Sequence, residues 1–153
     1  MALALVMVWY VGIGALGATG AMYLSHRLVP VKHEATLYGL FLIAIAAAYL
    51  AFRAYFGDAA AWRLEAVAVL AFATLGCLGT RVPVVLIAGY VLHGGWDLLH
   101  EVQAHSQMDV FGGREATRIP LAYGAFCTTF DWVIAVYFVY RRRHWVAAWK
   151  SRA

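Results

Sequence analysis

His93, Asp97 and His100 stand out in an otherwise apolar run, Val91-Leu92-His93-Gly94-Gly95-Trp96-Asp97-Leu98-Leu99-His100-Glu101. On a helix turning about 100° per residue, Asp97 lies about 40° from His93, and His100 about 20° on the other side. All three therefore share one face, with Trp96 at its border. Two imidazoles and a carboxylate at this spacing can converge on a divalent metal ion. They equally suit a proton relay, because a carboxylate fixes the tautomer of a neighbouring imidazole and raises its basicity.

Such residues need a scaffold, and the composition says which kind. Of 153 residues, 64% are hydrophobic and 13% charged, against about 25% charged in an ordinary soluble domain. A chain this short cannot hide so much apolar surface in a water-soluble core. Five apolar runs are visible, at about 3–26, 35–56, 62–79, 83–101 and 119–141, each able to cross about 30 Å of hydrocarbon as a helix. Backbone in lipid must satisfy its own hydrogen bonds, so these are helices and not isolated strands. The expected fold is an all-α integral membrane bundle of five transmembrane helices, one domain over 1–141, with a basic cytoplasmic tail at 142–153. The first run reads as a membrane helix, because it lacks the positive leading region of a signal peptide and is longer than a signal core.

Between the third and fourth runs, Leu78-Gly79-Thr80-Arg81-Val82-Pro83 predicts a tight helical hairpin: Gly ends one helix and Pro opens the next. The one real loop is expected at about 102–118, where Gly and polar residues gather. Five crossings place Arg27, Lys32, Arg81, Arg141, Arg142, Arg143, Lys150 and Arg152 on one side, and Arg53, Arg63, Arg114 and Arg118 on the other. The excess of basic residues predicts a cytoplasmic C-terminus and an outside N-terminus, in a bacterial inner membrane. Arg141-Arg142-Arg143 with Trp145, Trp149 and Lys150 reads as an anchor at an anionic leaflet. Gly12, Gly14, Gly17 and Gly20 in the first run permit close helix contact, within one chain or in a homo-oligomer. Cys77 and Cys127 both lie in apolar runs, which argues against a disulfide framework.

Ionisable groups inside a membrane helix are costly and usually face the bundle interior. By depth, Glu65 near the start of the third run and Asp131 in the fifth fall close to His93, Asp97 and His100. The candidate catalytic residues are Asp97, Asp131, Glu65 and His93; the candidate metal ligands are His93, Asp97 and His100, with Glu65 or Asp131 as a further ligand or base. Each has a plainer explanation. His100 and Glu101 could end the fourth helix in the headgroup region, and Glu65 could sit at the positive end of a helix dipole. Asp97 and His93 could be a structural hydrogen-bonded pair. Asp131 is hardest to dismiss, because a carboxylate that deep needs a partner. His33 and Glu34 read as the opening of the second helix, and His26, His105 and His144 as interfacial or loop residues.

The stretch His93-Gly94-Gly95-Trp96-Asp97-Leu98-Leu99-His100, with Phe126-Cys127 and Asp131 after it, resembles a family of small microbial integral membrane proteins of unknown function. Tyr49-Leu50-Ala51-Phe52 and Glu65 fit the same pattern, and the likeness covers about residues 33–140. It implies a membrane protein sharing these polar positions, and no particular activity.

The expected function is an intramembrane enzyme acting on a lipid-soluble small molecule, with membrane lipid as its surroundings. A bound divalent metal would support hydrolysis. Without metal, a protonated carboxyl and a histidine would support isomerisation or cyclisation. No phosphate loop, dinucleotide fingerprint or nucleophile motif is present, and Ser25, Ser106 and Ser151 all lie outside the cluster. The basic residues sit between apolar runs and form no stripe, so no nucleic-acid partner is expected. The alternatives are a proton, ion or solute pathway, and an accessory subunit of a membrane complex.

Overall fold

Short connectors set the topology. Helix α1 (Ala2–Leu28) turns through Val29 and Pro30 into α2 (Val31–Phe56), and α3 (Trp62–Gly79) turns through Thr80–Val82 into α4 (Pro83–His105). Neither connector is long enough to cross the bundle, so each pair must run antiparallel. A single 3-10 turn, Ala59–Ala61, joins α2 to α3, and a longer loop leads to α5 (Tyr123–Lys150). The computed structural model describes residues 2–106 and 108–151; five α-helices and no strand occur among them.

Three helical segments, Ala2–Leu28, Val31–Phe56 and Ala59–Gly79, are long and apolar enough to cross a membrane. The chain is thus an α-helical membrane protein. Helix α4 carries His93, Asp97, His100 and Glu101, and α5 carries Asp131 and the arginine run, so both are more polar. On α1 only Gly14, Ala18 and Ser25 are buried, while Leu16, Val8 and Trp9 are well exposed. An apolar face of this size is unsuited to water and fits a helix lying in a membrane.

Helix α5 packs against α4 and α1, α2 packs against α3, and α3 against α4, with α2 also reaching α4 and α5. Lipid is as apolar as leucine, so helices in a bilayer gain by close packing and not by escaping water. Glycines provide it. Gly39 of α2 faces Gly76 of α3, where a Cβ on either would stand 2.6 Å from the other's carbonyl oxygen. Gly14 of α1 lies directly on the backbone of Phe126, whereas Gly12 and Gly20 meet nothing within 4 Å. The small residues of α1 therefore divide between a seam with α5 and an open face.

Helix boundaries differ from the sequence expectation in four places. Helix α2 begins at Val31, because Pro30 has the non-helical backbone of a cap (φ −56, ψ 138). Helix α4 continues past Glu101 to His105. Helix α5 begins at Tyr123 and not at Ile119, for Pro120 and the left-handed Ala122 (φ 59) delay it. At the hairpin, Gly79 does not supply a left-handed cap; a Cβ there would meet the Cβ of Leu86 at 2.8 Å, so it permits contact with α4. Helix α5 runs unbroken through Arg141–Arg143 to Lys150. Arg152 lies outside the described residues, and Cys77 and Cys127 are both free thiols.

Candidate functional site

Two glycines bring α4 and α5 together. A Cβ on Gly94 would strike the Trp132 indole nitrogen at 2.7 Å, and one on Gly124 would stand 2.5 Å from the Asp97 carbonyl oxygen. Around these contacts, the Thr128 hydroxyl donates to the Gly94 carbonyl (2.9 Å) and the Trp132 indole to the Val91 carbonyl (3.2 Å). The Glu101 carboxylate accepts the Gly124 amide at 2.7 Å, which satisfies one of the open donors at the start of α5. This seam sets Asp131 directly beside His93.

All five polar residues expected in the bundle interior are there: Glu65, His93, Asp97, His100 and Asp131 are 0–2% exposed. They form two groups. In the first, His93 Nδ1 lies 2.7 Å from Asp131 Oδ2 and 3.1 Å from Asp97 Oδ2. Asp97 Oδ1 accepts the Tyr49 hydroxyl of α2 at 2.5 Å. In the second, His100 Nε2 lies 3.1 Å from Glu65 Oε1, which also accepts the Thr117 amide at 2.9 Å. His100 Nδ1 points at the Trp96 carbonyl, 3.1 Å away. Each imidazole nitrogen of His100 thus faces an oxygen.

His93, Asp97 and Asp131 each offer a ligand atom within 4.8 Å of the others. Tetrahedral bonds of about 2.0–2.2 Å place neighbouring ligands about 3.3–3.6 Å apart, so the hydrogen-bonded separations from His93 to the two carboxylates would have to widen slightly around an ion. Asp131 thus takes the third corner with His93 and Asp97, while His100 turns to Glu65. The ring of Tyr49 separates the groups, its centroid 6.2 Å from that of His93 and 4.5 Å from that of His100. Phe72 stands edge-on to His93 at 4.8 Å, which completes an aromatic wall.

The loop before α5 covers the second group. Phe111 is buried, with its ring centroid 5.4 Å from Trp96 and 4.8 Å from His100. A clamp at Asp58 holds the loop down. Arg118 donates to Asp58 from its side chain at 3.0 Å and from its amide at 2.8 Å, and the Thr117 hydroxyl donates at 3.1 Å. Arg118 also donates to the Phe56 carbonyl. Partial burial pushes the Asp58 carboxyl up, but these hydrogen bonds and the guanidinium together hold it below the usual carboxylate value. The loop is irregular as expected, yet tied at defined points.

A further buried carboxylate, at the other end of the bundle, was not singled out by spacing. Glu34, fully buried, accepts Arg141 Nε at 2.7 Å and the Trp145 indole at 2.8 Å, together with the Tyr137 hydroxyl. Arg141 is therefore a buried ion-pair partner and not part of the expected headgroup anchor, whereas Arg142 and Arg143 are exposed; Trp145 is likewise fully buried. Spacing gave no warning, because Glu34 and Arg141 are 107 residues apart. Tyr49 was legible only as an aromatic position in the second helix, and its bond to Asp97 crosses 48 residues.

Glu34 has donors on both oxygens. By contrast, His93 Nε2, Asp131 Oδ1, Glu65 Oε2 and Trp96 Nε1 are buried without a hydrogen-bond partner. Buried polar groups are nearly always paired, so these unpaired atoms, spread over both groups, make this region the candidate site. No curated protein and no solved structure matches this chain. Residues 10–144, however, match a family of unknown function, DUF6010, over most of the sequence, and the chain belongs to that family.

Proposed function

We propose that this chain is an intramembrane enzyme acting on a lipid-soluble substrate, with His93, Asp97 and Asp131 as a divalent-cation centre. It crosses the membrane five times, with the N-terminus outside and the C-terminus in the cytoplasm of a bacterial inner membrane. The observation that carries the reading is the contrast between the satisfied Glu34 and the orphaned atoms around His93 and Glu65. A carboxylate kept for architecture has its donors built in; one kept for chemistry leaves lone pairs for a ligand.

In this reading His93, Asp97 and Asp131 would hold the ion, and Tyr49 fixes the rotamer of Asp97 through Oδ1. A bound divalent ion supplies a hydroxide or polarises a carbonyl. The Glu65–His100 pair serves in this reading as the general acid–base couple, and Phe111 keeps bulk water from it. Without metal the same residues would serve isomerisation or cyclisation: a protonated carboxyl gives its proton to an alkene or epoxide of the substrate, and His93 or His100 later takes a proton from the cation so formed.

A proton pathway is the second reading, favoured by one observation. Beyond the site, the Tyr90 hydroxyl donates to the Tyr38 carbonyl at 3.0 Å, and the Tyr38 hydroxyl meets Ser25 Oγ at 2.8 Å beside Glu34. Hydroxyl groups thus continue towards the opposite end of the bundle.

Elemental analysis of detergent-purified protein, before and after reloading with divalent metals, tests the leading reading. A stoichiometric ion in the wild type and its loss in Asp131→Asn is the expected result. Protein that neither carries nor takes up metal, with or without Asp131, rejects the cation centre. Proton uptake into liposomes with no metal bound would favour the pathway instead.

A further inference from the structure

The two ends of the bundle differ in charge. Element order puts Arg27, Lys32, Arg81, Arg142, Arg143 and Lys150 at the end where α3 turns into α4. Asp58, Glu65, Asp97, Glu101, Asp109 and Glu115 all belong to the other half, and Asp131 lies between. The single acid at the basic end is Glu34, which Arg141 already neutralises. Among the described residues no carboxylate pairs with Arg142, Arg143 or Lys150, and all three are exposed.

These three cations border one groove of about 490 Å³ between the first turn of α4 and the last turns of α5. Pro83, Val84, Val146 and Ala147 form its apolar wall. Cations over an apolar wall match a molecule with an anionic head and a hydrocarbon tail.

We propose that this groove binds an anionic phospholipid, its phosphate held by Arg142, Arg143 and Lys150 and its acyl chain lying along Val84 and Val146. Each juxtamembrane cation adds to attraction for an anionic leaflet. The groove converts that general attraction into a site, because its three cations meet one headgroup while its wall takes the chain. The site is separate from the His93 cluster and does not depend on any activity there.

Native mass spectrometry of the detergent-solubilised full chain tests this, with phosphatidylglycerol, phosphatidylcholine and glycerol phosphate as probes. Phosphatidylglycerol is expected to bind at least about tenfold more tightly than phosphatidylcholine. The triple change Arg142→Gln, Arg143→Gln, Lys150→Gln should abolish that preference; Arg27→Gln, Lys32→Gln, Arg81→Gln, which removes equal charge outside the groove, should keep it. Val146→Trp fills the groove while leaving every charge in place, and should weaken phosphatidylglycerol binding as much as the groove triple does. Equal losses from both triples would show diffuse attraction and overturn the site. So would unchanged binding in Val146→Trp, or glycerol phosphate competing as well as the intact lipid.

Discussion

Asp131 of α5 stands 2.7 Å from His93 Nδ1 of α4, and the same nitrogen faces Asp97 at 3.1 Å. One imidazole nitrogen thus serves two carboxylates in a nearly water-free core. A neutral imidazole has one proton to offer there, so the two acids depend on a further cation or proton.

That dependence separates two kinds of buried acid. Asp131→Asn should remove bound metal or lower its affinity by roughly tenfold or more, while changing stability by about 1 kcal/mol or less. Glu34→Ala should do the reverse, costing about 3–5 kcal/mol by stranding Arg141 without its partner, and leaving metal content intact. Unfolding midpoints and elemental analysis on the same two variants would read both effects. Equal destabilisation by the two, with no change in metal, would make the His93 cluster architectural.

The Asp58 clamp should make the covering loop acid-sensitive. Its carboxyl titrates below the ordinary 3.8 in the folded state, so its contribution is fully present above that value. The contribution is lost as pH falls through the lower folded value. Hydrogen exchange across residues 108–122 should therefore rise on acidification below about pH 4. In Asp58→Asn exchange should already be raised at neutral pH and respond less to acid. An identical acid response in both proteins would remove Asp58 from the account.

Close helix contacts predict opposite outcomes for glycines alike in sequence. Gly39→Ala should destabilise by about 1–3 kcal/mol, because its new Cβ would meet the Gly76 carbonyl. Gly12→Ala and Gly20→Ala face open space and should be neutral or stabilise by about 0.5–1 kcal/mol through helix propensity. Thermal unfolding in detergent compares them, and a damaging Gly12→Ala would point to a contact between chains.

The proposed five crossings would put positions near 109 and 147 on opposite faces of the membrane. Single cysteines there, in a background lacking Cys77 and Cys127, should label from opposite sides in intact cells or oriented vesicles. Labelling of both from one side would require a different number of crossings.

The sequence by itself determined the membrane class, the order of the helices and one face of the site. Apolar run length and the three-and-four-residue spacing of His93, Asp97 and His100 are local properties, fixed by helical rise and turn. Tertiary structure decided the partners. His100 pairs with Glu65 rather than joining His93, and Asp131 takes the third corner, because Gly94 and Gly124 let α5 approach α4 at that register. Arg141 looked like one of three interfacial arginines; the rotation of α5 turns it inward to Glu34 and leaves Arg142 and Arg143 exposed. Helical spacing predicts which residues share a face, but not which face meets which neighbour. Shape at the crossing points, set here by glycines, settles that.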